Sequence, residues 1–202
     1  MPACLARQRA DLNMPAAPKR KTAVAPDQAQ KDAMLDFLFR RLTADKPRGG
    51  ELFEAATRIA REPHWYVEAE VPDTLDGRFA VLATIMALIF VRLEREGDEG
   101  NRLSVALTER FVEVMEAEHR ELGLGDPTLG RTVRKLVGSL SRRTDLWRGA
   151  MESEAEQRAT TRQSLYRADV SADALENSTA ALQGFWRRLQ RAALENLEEG
   201  NF

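Results

Sequence analysis

Few residues in this chain have the types and spacing that a reaction centre needs. Glu116 and His119 form its one Glu-x-x-His pair, Cys4 is its only thiol, and His64 is the other histidine. Residues three apart share a helix face, so Glu116 and His119 could offer a metal one carboxylate and one imidazole. A di-iron helical bundle needs two such pairs and two further glutamates from facing helices. A single cysteine excludes an internal disulfide and a thiolate metal site. Gly123-Leu124-Gly125 follows a helical pattern rather than a strand, so it is not a dinucleotide loop. There is no nucleophile elbow and no phosphate-binding Gly-Lys-Ser/Thr. The expectation is a non-enzymatic helical interaction protein with no catalytic residue, no metal ligands and no cofactor.

The elements that would position any surface are organised around one turn, Val71-Pro72-Asp73-Thr74-Leu75-Asp76-Gly77-Arg78-Phe79. Pro72 stiffens it, and Asp73 or Thr74 can cap a following helix by accepting hydrogen bonds from its first amides. Asp76 faces the positive end of the helix macrodipole. Gly77 implies a close backbone approach or an unusual dihedral. Arg78 can lock the turn as an ion pair or face a partner, and the residues alone leave both open. Behind the turn, Ala80 to Leu93 holds only two polar residues, Thr84 and Arg92. Fourteen residues are too few for a membrane span, which takes about 20. A helix over about 77–96 is therefore the buried centre of an all-α bundle.

Elsewhere the pattern is helical throughout. Residues 1–28 mix Pro, Ala, Lys and Arg without period and read as a disordered, mildly basic arm. Early charges and Pro2 break any secretory signal. Ala33, Met34, Phe37, Leu38 and Leu42 give one amphipathic helix, and Leu52, Phe53, Ala56, Ile59 and Ala60 give another that ends before Pro63. His64-Trp65-Tyr66 should bury its rings at a helix junction. Glu96 to Gly100 reads as a turn, and the next helix as about 102–122, with Leu103, Leu107, Phe111, Val114 and Leu122 on one face. Asp126 is placed to cap a helix over 127–148. Residues 29–150 form the main helical domain, and 151–202, with Ser171 as an N-cap, form a helical extension packed on it.

Overall charge is nearly balanced, at -2, which predicts no DNA partner and at most peripheral membrane contact. Residues 127–150, however, carry six basic side chains and one acidic one. Val133, Leu136, Val137, Leu140 and Trp147 share one face of that helix. Arg131, Arg134, Lys135 and Arg142 cluster opposite, within about a third of the circumference. Such a face is either solvated or docks acidic protein, RNA or anionic lipid.

Two blocks of sequence resemble the ubiquinol–cytochrome c chaperone family. One is Val71 to Phe79 with its apolar helix ending in Arg92-Leu93. The other is Arg120-Glu121-Leu122-Gly123-Leu124-Gly125-Asp126 with the basic helix beginning near Arg131. The resemblance covers about residues 50–148 and departs from the family pattern at Ile85, Val91 and Leu140-Ser141-Arg142. It implies an all-α chaperone assisting biogenesis of ubiquinol–cytochrome c reductase, with the cytochrome b subunit as membrane-protein client. A small accessory protein or the ribosome is a further implied partner. The location implied is the cytoplasm, at or near the inner membrane, or the matrix side in a eukaryote. The candidate partner-binding residues are Pro72, Asp73, Thr74, Asp76, Gly77, Arg78, Arg120, Glu121, Gly123, Gly125, Asp126, Arg131, Arg134, Lys135 and Arg142. The two loops are expected to lie at neighbouring ends of antiparallel helices and form one surface. The alternative reading is a general helical adaptor or regulator unrelated to respiration.

Overall fold

The computed structural model describes residues 48–202 apart from Leu122, Leu124 and Glu152, and leaves the side chains of Asp126 and Pro127 undescribed. The expected arm (1–28) and the helix through Ala33–Leu42 lie outside the described residues. The architecture is all-α. Its helices are α1 (Gly50–Ala60), α2 (His64–Val67), α3 (Leu75–Leu93), α4 (Gly97–Glu121), α5 (Asp126–Ala150), α6 (Glu154–Leu165), α7 (Ala172–Arg191) and α8 (Leu194–Glu198).

Helix α3 is the axis, and α1, α4, α5, α6 and α7 all pack on it. Val81, Ile85, Met86, Leu88, Ile89 and Leu93 are fully buried. Each aliphatic side chain buried this way stabilises the fold by about 1.5–3 kcal/mol. The two polar residues of the rod are also buried. Thr84 Oγ1 donates to Ala80 O of the preceding turn at 2.7 Å. Arg92 reaches across to the end of α7, where Nε meets Leu189 O at 2.9 Å and Nη2 meets Ala192 O at 3.0 Å. Its Nη1 pairs with Glu96. One arginine thus caps the carbonyl end of a helix about a hundred residues away in sequence.

Several boundaries differ from those the sequence suggests. The central helix spans 75–93 rather than 77–96, and Glu94–Glu96 continues it as a single 3-10 turn. Helix α4 begins at Gly97, five residues before the expected start at 102. Two acids in its first turn, Asp98 and Glu99, suit the positive helix end. Gly100 lets α4 start this close to α3, because a Cβ there would stand 2.1 Å from Leu93 O. On α4 the buried row is Leu103, Leu107, Phe111 and Met115, so Met115 takes the core position expected of Val114. Trp65 is buried and donates to Ile59 O at 2.8 Å, while Tyr66 donates to Ala60 O at 2.7 Å. Ser171 caps α7 as expected, with Ala174 N donating to its Oγ at 3.1 Å.

Candidate functional site

The turn before α3 is rigid in backbone and open in side chains. Thr74 caps the helix, its Oγ1 accepting from Gly77 N at 3.2 Å. Asp73 is therefore not the cap. Its carboxylate instead grips Arg78 as a fork, Nε to Oδ1 at 2.5 Å and Nη2 to Oδ2 at 3.1 Å. The hydrogen bond from Arg78 holds the Asp73 carboxyl below the usual carboxylate range. Both side chains are more than half exposed, where ion pairs contribute little stability. Gly77 is buried because a Cβ would stand 1.9 Å from Pro72 O, so its role is close backbone approach, not a left-handed dihedral. Strain of the left-handed kind falls on Glu70, at φ 53°. Its neighbours over-determine it: Val71 N donates to Trp65 O at 3.0 Å, and Tyr166 Oη lies 2.5 Å from Ala69 O. Pro72, Asp73, Thr74, Asp76 and Arg78 are all exposed. So is Leu75, at 62%.

The second loop is built as a helix break. Gly123 adopts φ 84° and donates to Arg120 O at 3.0 Å, closing α4. Asp126 is the first residue of α5 rather than its cap, and extended Gly125 occupies the cap position. Thr128 N and Leu129 N both donate to Gly125 O, so a backbone carbonyl holds the register that a side chain was expected to hold. Arg120, Glu121, Gly123 and Gly125 are exposed. Along α5, Leu129, Val133, Leu140 and Trp147 are buried, while Arg131, Arg134, Lys135 and Arg142 are exposed. The two-sided helix read from the periodicity is therefore present.

The two loops were expected to form one surface. No hydrogen bond or ion pair among the described residues links 71–79 to 120–126. The turn is met instead by the segment after α6 and by the middle of α5. Arg167 Nη1 pairs with Asp76 at 2.9 Å, and Asn177 Nδ2 donates to Glu68 O at 3.2 Å. Arg143 lies over the Phe79 ring, 5.9 Å from its centroid. Arg143 and Arg167 were absent from the candidate set. A faint signal existed for Arg143, since it lies toward the apolar face of α5, one turn from both Ser139 and buried Trp147. Arg167 carried no signal, because only the tertiary fold brings it to Asp76.

Glu116 and His119 are not gathered with other ligands. His119 Nδ1 lies 2.8 Å from Met115 O on its own helix. Among the described residues, no group of three or more His, Cys, Asp or Glu converges. A groove of about 450 Å³ runs between α4 and α5, with Phe90 at one end and Val105, Thr108 and Leu140 along it.

These features define an all-α bundle in which the turn at residues 71–79 has a closely held backbone and exposed charged side chains, with exposed Leu75 among them. Residues 67–202, well over half of the chain, match the family described as Ubiquinol-cytochrome C chaperone, and the chain belongs to that family. The match runs through α6, α7 and α8, beyond the stretch where the sequence alone showed a resemblance. Among solved structures, the crystal structure of the Cbp3 homolog from Brucella abortus has the same fold. Its TM-score is 0.66 at 22% identity, over 84% of this chain and 94% of that one. No curated protein matches.

Proposed function

We propose that this protein is an assembly chaperone for ubiquinol–cytochrome c reductase that holds the cytochrome b subunit before it joins the complex. The observation that carries the reading is the extent of the family match, which takes in the 71–79 turn, the basic helix α5 and helices α3, α4, α6, α7 and α8. The exposed turn end is the partner surface, with Leu75 and Arg78 from α3 and Arg142 from α5. No helix among the described residues is long and apolar enough to cross a membrane. On this reading contact with the membrane is peripheral, made while the client is held on the cytoplasmic or matrix side. A small accessory protein or the ribosome is the second partner, met by the outer face of α5.

Deleting the gene and recording difference spectra of the b- and c-type cytochromes tests the reading. It predicts loss of the haem b signal together with the reductase. Unchanged haem b and reductase levels would leave the protein as an adaptor outside respiration. Crosslinking followed by co-purification should recover cytochrome b, and Arg78→Ala should reduce that recovery.

A further inference from the structure

Arg143 is a half-buried cation whose bonds all go to neutral oxygens. Nη1 donates to Ser139 Oγ at 2.5 Å, Nη2 donates to Ser164 O at 3.0 Å, and Nε is buried with no partner. Burial, followed by the charges of Arg167 and Arg142, pushes its pKa down. No ion pair joins Arg143 to an acid among the described residues, and Asp76 of the neighbouring turn is bound to Arg167. Arg92 shows what the same chain does with a buried arginine when the purpose is structural: it supplies Glu96. A partly desolvated charge without a counter-ion costs folding free energy, which neutral partners (Ser139, the Ser164 carbonyl at the end of α6 and the Phe79 ring) offset only in part. Arg142 beside it is exposed and has no acidic partner among the described residues.

We infer that Arg142, Arg143 and Arg167 form a recognition site for a carboxylate side chain carried on an acidic, partly apolar segment of a protein partner. The guanidinium edge suits a planar carboxylate, which can take two parallel hydrogen bonds. An extended polyanion suits the surface less well. Asp73, Asp76 and Asp169 are all exposed around the cluster and would repel a phosphate backbone or a charged lipid surface. A single side chain avoids them. Leu75, 62% exposed and next to Asp76 in the first turn of α3, gives the apolar part of the segment a place to rest. The inference rests on reading the 71–79 end as a partner surface, but not on cytochrome b being that partner.

Fluorescence anisotropy of the full-length protein with a short labelled Leu/Glu peptide, one Glu flanked by leucines, tests it. The peptide should bind, its Leu/Gln counterpart should not, and Arg142→Ser and Arg143→Gln should each weaken binding roughly tenfold or more. Arg187→Ser, an exposed cation on α7, should change nothing. Should Arg143→Gln lower the melting temperature, Arg142→Ser carries the test, because that side chain makes no contact the fold needs. No binding of the Leu/Glu peptide, equal binding of the Gln peptide or an unchanged affinity in Arg142→Ser would overturn the site. Tighter binding to phosphatidylglycerol vesicles or to single-stranded RNA would do the same. Peptide binding that persists while cytochrome b fails to crosslink would uphold the site and remove only the client identity.

Discussion

The two ends of α3 are finished in opposite ways. At the C-terminal end, Arg92 has the carbonyls of Leu189 and Ala192 and the carboxylate of Glu96. Arg148 is gripped by Glu94 at 2.6 Å and Asp145 at 2.7 Å, and Arg48 joins Glu99 to Glu198. At the N-terminal end the backbone is equally well held, by the Thr74 cap and the Gly77–Pro72 approach, yet the side chains are not closed off. Arg143 has no counter-ion, Arg142 is free among the described residues, and Leu75 is exposed. The turn end has paired arginines too, Arg78 with Asp73 and Arg167 with Asp76, so the contrast between the ends lies in Arg142, Arg143 and Leu75.

Substitutions ordered by expected effect sharpen that contrast. Gly77→Val should be the most damaging, because its Cβ would overlap Pro72 O and the turn must open. The cost is about 3 kcal/mol or more, a fall in Tm of roughly 6–12 °C for a chain of this size, read by circular dichroism. Arg92→Met, at the closed end, leaves carbonyls at the end of α7 without partners. It should cost about 2–4 kcal/mol and loosen α7 in hydrogen exchange, with peptide binding at the other end unchanged below Tm. Thr74→Ala removes one cap bond and should cost about 1 kcal/mol, or roughly 2–4 °C. If Arg92→Met proves as mild as Thr74→Ala, the closed end does not carry the stability assigned to it.

The smallest effect is expected at Asp73 and Arg78. Arg78 lowers the Asp73 pKa, so their pairing is present above the ordinary carboxylate range and is lost as pH falls through the lowered folded-state value. Both groups are exposed, so the step should be shallow and should vanish in high salt. Asp73→Ala should remove it while leaving the melting curve at neutral pH nearly in place. A large fall in Tm would mean that Asp73 helps cap α3 after all.

Much of this was legible in the sequence because it depends on local rules. The apolar rod, the two-sided α5, the Ser171 cap and the need for Gly77 all follow from periodicity or from a single residue's stereochemistry. Asp73 and Thr74 were equivalent cap candidates on paper, and only the backbone path shows that Thr74 points at the amides. The start of α4 was misplaced because Gly97 and Gly100 read as a turn, whereas Gly100 is helical and needed for contact with Leu93. The shared surface of the two motif loops is an expectation about topology that no single residue's stereochemistry decides. Two neighbours of the turn, Arg143 on α5 and Arg167 in the segment after α6, are brought there by a tertiary placement that no local pattern encodes.

The contrast between the two ends is tested most directly by photo-crosslinking in cells making ubiquinol–cytochrome c reductase. A photoreactive residue replaces Leu75 in one strain and Val105 in another. Both positions are exposed apolar sites, at 62% and 52%, but Val105 lies on α4 along the groove and away from the 71–79 turn. The account predicts a crosslink to the cytochrome b subunit from position 75 and none from position 105. A crosslink from 105 alone, or equally from both, would contradict it.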